Sequence, residues 1–184
     1  MDEARIPKVP LEAGLTIIGM DPAATRNCGW SVLRYDGNSI ILLDKYTQKI
    51  TRTDEELDCG RLRDVYDELQ KIITKHNPKI LCLERSMGGG LAFVRSNMSE
   101  IVGAAKLCCF ENKIIVYETS PGHVKKLIAD HGRADKKYIK ANIVTYFNLA
   151  KSGPEHECDA AACALSAFID LGFLKYIVKV PYGG

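Results

Sequence analysis

Residues 29–46 read GWSVLRYDGNSIILLDKY. Two runs rich in β-branched and aromatic residues, Gly29–Tyr35 and Ser39–Tyr46, flank Asp36-Gly37-Asn38. Gly tolerates the positive φ that tight hairpin turns need, so the stretch predicts two antiparallel strands. Just upstream, Leu15–Met20 (LTIIGM) is a short continuous apolar run, read as a buried strand. The three together predict an antiparallel meander. Downstream the pattern changes. Thr53–Asp58 is acidic and loop-like, and then Leu62, Val65, Tyr66, Leu69, Ile72 and Ile73 recur at steps of three and four, the stripe of an amphipathic helix. Asn77-Pro78 ends it. Lys79–Glu84 (KILCLE) reads as a fourth strand, Gly88–Gly90 as a break, Leu91–Phe110 as a helix and Lys113–Glu118 as a fifth strand. A helix is expected after Ser120, capped by that serine with Pro121 in its first turn. Asp135 is expected to cap another reaching about Asn148, and His156–Leu174 reads as a last, mostly apolar helix. Paired strands followed by strand–helix alternation make an α/β order.

The 184 residues fit one domain, with 46% hydrophobic and 26% charged residues. Residues 1–14 read as a flexible tail and 15–184 as a single domain. Twenty-five Lys and Arg against 23 Asp and Glu leave a formal charge of +2, so nucleic-acid binding requires cations gathered on one face. No apolar run is long enough for a membrane span, and residues 1–14 lack the apolar stretch of a secretory leader. Seven cysteines without a CxxC pair suggest a reducing compartment and no zinc site. Cys82, Cys108, Cys109 and Cys163 sit among apolar neighbours and read as core, Cys28 and Cys59 as exposed loop residues. Trp30 is assigned to the core, and His76, His123 and His131 to the surface.

Three acids fall at telling places. Asp21 follows the first strand, Glu84 ends the fourth, and Asp159 lies early in the last helix, with Glu155 and His156 four and three positions before it on a shared face. Each has an ordinary explanation alone: turn chemistry for Asp-Pro, a charge favourable near a helix N-terminus for Asp159. Together they converge if the first and fourth strands are neighbours, because α/β sheets gather ligands at the carboxyl ends of their strands. Crowded carboxylates resist ionisation, and a divalent cation relieves them. Hard oxygen donors suit magnesium, and two such ions can activate water against a phosphodiester.

The segments IIGMDPAATRNCGW at 17–30, ILCLERS at 80–86, GHVKKLIADHGRADKKYIK at 122–140 and HECDAAACALSAF at 156–168 resemble the RuvC family of Holliday-junction resolvases, within the RNase H-like nucleases. The resemblance spans roughly residues 15–172. It implies a five-stranded mixed sheet, its first three strands antiparallel, with helices on both faces. The family's acidic positions fall on Asp21, Glu84, His156 and Asp159, implied as both catalytic residues and metal ligands. Histidine at 156 lowers the carboxylate count from four to three; imidazole suits transition metals, so Mn²⁺ is expected to substitute for Mg²⁺, with two ions per site. Glu155 and Glu157 stay open as alternatives to His156. Ala23 stands where many relatives have glycine. Met87 or Phe93 would take the place of an aromatic wedge found in some relatives.

Lys125, Lys126, Arg133, Lys136, Lys137 and Lys140 are interrupted only by Asp130 and Asp135. On spacing alone this could be a solvated face. The resemblance implies functional lysines at Lys125 and Lys136, and all six are taken as DNA-binding candidates. It also implies a homodimer acting on four-way DNA junctions by paired symmetric nicks that leave 5′-phosphate and 3′-hydroxyl ends. Leu91–Phe110 is the expected interface, since its apolar positions run round more than one face. The expected setting is cytoplasmic (a host's, if viral), with an organellar matrix open. Competing classes are an RNase H-like nuclease on structured RNA, an ATP-binding fold of the actin–hexokinase type, which needs two such domains, and a non-catalytic branched-DNA-binding module.

Overall fold

The computed structural model describes residues 6–10, 12–22, 27–50, 60–85, 92–174, 177, 179–180 and 182, with the backbone alone for 92–95. Five strands and five helices follow in order: β1 (Thr16–Asp21), β2 (Asn27–Tyr35), β3 (Ile40–Lys49), α1 (Gly60–His76), β4 (Ile80–Glu84), α2 (Ala92–Glu111), β5 (Ile115–Thr119), α3 (Pro121–Ala129), α4 (Lys136–Tyr146) and α5 (Glu155–Asp170). They form one sheet in the order β3-β2-β1-β4-β5. β1, β2 and β3 pair antiparallel; β4 and β5 continue the sheet in parallel with β1. The expected meander and mixed sheet are both present. At the β2–β3 turn, the Asp36 carboxylate accepts from the amides of Asn38 and Ser39, while Gly37 takes φ +104°.

Strand alternation sorts the core into two layers. Ile17, Ile80, Cys82, Leu33 and Tyr117 point to one face and pack with α3, α4 and α5; Ile18, Met20, Leu81, Leu83 and Trp30 point to the other, with α1 and α2. Trp30 is fully buried, and its indole N–H donates to Gln48 Oε1 at 2.9 Å. Val9, within the segment read as a tail, packs against the first layer.

Several local expectations need correction. Cys28 is buried inside β2 rather than exposed in a loop, because the strand begins at Asn27, two residues before Gly29. His76 is not a free surface residue: its side chain is 9% exposed and lies against Asp44. Asp135 occupies the N-cap of α4 but makes no side-chain cap bond, whereas Ser120 caps α3 as expected, its hydroxyl accepting from the His123 amide. The last helix ends at Asp170, and Gly172 at φ +85° turns the chain away before Leu174. Cys59, Ala23 and Met87, the triple glycine, and the side chain of Phe93 lie outside the described residues.

Candidate nuclease site

Asp21, Glu84 and Thr119 end β1, β4 and β5. The parallel β1–β4 register runs to Met20 opposite Leu83, so Asp21 and Glu84 are the next step on adjacent strands; Glu84 is itself paired with Thr119. Counting by two from Ile17, Cys82 and Tyr117, all three side chains lie on the α5 face of the sheet.

Two glycines bring α5 onto that end. A Cβ on Gly19 would stand 1.9 Å from the Ala160 carbonyl oxygen, and one on Gly29 would stand 2.1 Å from that of His156. Backbone therefore lies on backbone, a contact only glycine allows. The first turn of α5 is also pinned to β3. Lys45 Nζ donates to Glu157 Oε2 at 2.9 Å and to the Ser152 carbonyl at 2.8 Å, with both charged side chains 13% exposed. His156 meets Asp21 through Nδ1 and Oδ2 at 2.7 Å. This separates the three candidates at the start of α5: His156 faces Asp21, Glu157 is held by Lys45, and Glu155 pairs with Lys136.

Lys136, the first residue of α4, ties the acids to the basic segment. Its ammonium donates to Asp159 Oδ2 at 2.9 Å as well as to Glu155. Burial works against that charge, but the two carboxylates outweigh it and hold the Lys136 pKa above its ordinary value. Burial pushes Asp21 up, opposed by the His156 hydrogen bond and reinforced by Asp159. Glu84 is pushed up to about 7, by burial first and then by Asp21 and Asp159; Lys136 and Lys125 pull the other way.

The other basic candidates separate by position. Lys125 on α3 is half-buried and acts electrostatically on Glu84, and Lys140 acts on Glu155. Lys126, Arg133 and Lys137 are exposed. Lys125 and Lys136 therefore act on the strand-end acid Glu84, and Lys140 acts on Glu155, outside the Asp21–Glu84–Asp159 group.

The residues fit a divalent cation. Asp21 and Glu84 are carboxylates whose burial disfavours their charge, and Thr119 Oγ1, opposite Glu84, is buried with no hydrogen-bond partner. Among the described residues no three His, Cys, Asp or Glu side chains yet enclose one ion, and the Lys136 ammonium supplies the positive charge beside Asp159. Thr119 and the two glycines were not singled out from sequence. Alternation from an apolar strand could have placed Thr119, but a strand glycine does not name what approaches it.

A family model described as Crossover junction endodeoxyribonuclease RuvC matches residues 17–167. The crossover junction endodeoxyribonuclease RuvC of Alkaliphilus oremlandii is 30% identical over 152 residues, covering 82% of this chain and 91% of that protein. That of Finegoldia magna is 28% identical over 164 residues, covering 89% and 98%. The structure of Thermus thermophilus RuvC in complex with a Holliday-junction substrate superposes with a TM-score of 0.74 at 20% identity, over 86% of this chain and 97% of that one. Sequence and fold agree, and the chain belongs to the RuvC family of crossover junction endodeoxyribonucleases.

Proposed function

We propose that this chain is a divalent-metal-dependent endonuclease that resolves four-way DNA junctions by paired symmetric nicks, leaving 5′-phosphate and 3′-hydroxyl ends. The observation that carries the reading is the meeting of Asp21, Glu84, His156 and Asp159 at one end of the sheet, with Lys136 against the same acids. Residues 15–184 act as one nuclease domain.

Asp21, Glu84 and Asp159 would supply the oxygen donors for Mg²⁺, two ions per site, and His156 a nitrogen donor that would let Mn²⁺ substitute. A metal held there would supply the Lewis acidity that hydrolysis of a phosphodiester calls for. The protein's own work is preorganisation. Gly19 and Gly29 fix the height of α5 over the sheet, and the Lys45–Glu157 pair fixes its first turn, so Asp159 and His156 are held in place before substrate arrives. Thr119 offers its unpaired hydroxyl at the same strand end. Lys125 and Lys136 hold phosphate next to the acids and offset the negative charge that builds at the scissile group, while Lys126, Arg133, Lys137 and Lys140 follow the arms.

The two cuts require two equivalent sites, and a twofold dimer provides them. Helix α2 supports this with two large apolar side chains turned to solvent, Leu107 at 55% and Phe110 at 81% exposure. No described helix is long and apolar enough to cross a membrane. The test is incubation of the protein with four-way, three-way and linear DNA and with RNA–DNA hybrid, each with Mg²⁺ or Mn²⁺. Paired nicks confined to the four-way substrate support the reading. Preferential cutting of RNA, or binding without cutting, refutes it.

A further inference from the structure

The chain beyond α5 returns to the basic face. Ile177 is buried in the α5-side core, and the next residues are clamped by Asn142 of α4. Asn142 is fully buried and uses both ends of its amide: Oδ1 accepts from the backbone N–H groups of Lys179 at 2.7 Å and Val180 at 2.8 Å, and Nδ2 donates to the carbonyls of Val180 at 2.9 Å and Tyr138 at 3.0 Å. A buried amide with four hydrogen bonds is a fixed point. From it Tyr182 lies over His131, ring on ring, with centroids 4.5 Å apart and planes 10° apart; Tyr138 meets Tyr182 edge-on at 5.1 Å. Lys137 Nζ lies 5.0 Å from the Tyr138 ring centroid.

The placement matters more than the stack itself. Tyr182 remains 41% exposed, although a tail ring serving only to cover α4 would be expected to turn inward. Exposed cations sit on the residues that hold it: the Arg133 amide donates to the stacked His131, Lys137 lies over Tyr138, and Lys179 is in the Asn142 clamp; Asp130 and Asp135 share the loop, so charge alone does not define the surface. Lys137 directly follows Lys136, which touches Asp159. The aromatic group and the nuclease site therefore share the first turn of α4, Lys136 on the acids and Tyr138 on Tyr182. Aromatic rings interleaved with cations suit nucleobases, since every base offers a π-face while the cations take the backbone. A branch point provides such bases, because a pair there lacks a stacking neighbour on one side.

Resting on the reading of the chain as a junction nuclease, we propose that the C-terminal segment completes a nucleobase-stacking subsite, in which Tyr182, braced by His131 and held by the Asn142 clamp, receives a base next to the branch point. The segment lies beyond residues 17–167 that match the family. The subsite supplies affinity through a contact that carries no charge, unlike Lys137 and Arg133 beside it.

The test is equilibrium binding of the full chain to a labelled four-way junction without divalent metal, across a salt series, beside a linear duplex. Tyr182→Ala is expected to weaken junction binding about tenfold, with the slope of log affinity against log salt unchanged, whereas Arg133→Ala flattens that slope by about one. Tyr182→Phe keeps wild-type affinity. A junction made abasic beside the branch point binds wild type about tenfold more weakly than the intact one, and binds Tyr182→Ala no more weakly than the intact one does. Wild-type affinity in Tyr182→Ala overturns the proposal. So does an equal abasic penalty in both proteins, which would leave the tail a brace for α4, most plainly if the melting temperature of Tyr182→Ala also falls. If wild type does not distinguish junction from duplex, the nuclease reading itself fails, a separate result.

Discussion

The two faces of the sheet are built by different rules. On one, α5 lies backbone against backbone on Gly19 and Gly29, and every residue from Ala160 to Phe168 is buried. On the other, α1 and α2 stand off on ordinary side chains such as Val65, Leu69 and Ile101, and α2 leaves Leu107 and Phe110 in solvent. The first arrangement has no slack, which suits a helix proposed to hold Asp159 and His156 in fixed positions. The second has apolar surface to spare, which suits a partner. The proposed catalytic group and the proposed dimer contact thus fall on opposite faces of the sheet.

The sharpest way to break this contrast is to add a side chain to each layer. Gly29→Val drives a branched Cβ into the His156 carbonyl, and should cost at least about 3 kcal/mol in urea unfolding and remove cleavage. Gly103→Ala on α2, where a Cβ meets nothing within 4 Å, should leave the unfolding free energy unchanged or raise it by up to about 1 kcal/mol. Equal effects would show that α5 has more room than its contacts suggest.

Charge separates the layers as well. Burial first, and then Asp21 and Asp159, push the Glu84 carboxyl up to about 7, above its ordinary 4.5, and burial raises Asp21 the same way. A carboxyl raised on folding favours the native state fully below the unfolded pKa, and that advantage is lost as pH rises through the folded one. The metal-free protein should therefore lose up to about 3 kcal/mol between pH 4.5 and values above 7 on account of Glu84. Glu84→Gln should remove this part of the pH dependence, and added Mg²⁺ should restore stability on the alkaline side. Thermal melts across pH with and without metal measure it; a wild-type curve flat over that window contradicts the assignment.

The other layer is probed through its exposed apolar pair. Phe110→Asp with Leu107→Lys should leave the fold intact and shift sedimentation from dimer to monomer, raising the dimer dissociation constant at least about tenfold. A persistent dimer would move the interface off α2. The smallest expected effect lies at the margin: Lys140→Ala should flatten the salt slope of junction binding by about one and leave the saturated cleavage rate nearly intact. A slowed saturated rate would place Lys140 among the groups that act on the transition state.

The unequal legibility of the two layers has a physical cause. The hairpin at 36–38, the helical stripe from Leu62 to Ile73 and the Ser120 cap are local patterns, and each forms as read. Asp21 and Glu84 were readable because they end apolar strands, and period-two alternation then aims them; Asp159 was readable from its place in the first turns of an apolar helix. What escaped is contact across the sequence. Gly19 and Gly29 are plain strand glycines until α5 returns more than 120 residues later. Lys45, one of many surface-like lysines, pairs with Glu157 across 112 residues. Cys28 looked like loop because the strand edge was set at Gly29, where β propensity resumes, although pairing with Gln48 carries the ladder past it. The docking of Tyr182 on His131 depends on Asn142, whose buried amide reads in sequence only as a polar residue in a helix.

The account's central claim is that Asp21, Glu84 and Asp159 form one metal-dependent catalytic group, separate from the surface that binds the junction. The measurement that bears on it most directly is single-turnover cleavage of a four-way junction by Asp21→Asn, Glu84→Gln and Asp159→Asn in saturating Mg²⁺, beside their junction affinities. The account predicts that each variant loses cleavage, by at least about a thousandfold, while binding the junction within a few-fold of wild type. Near-wild-type turnover in any of the three, or loss of binding in step with loss of cleavage, would contradict it.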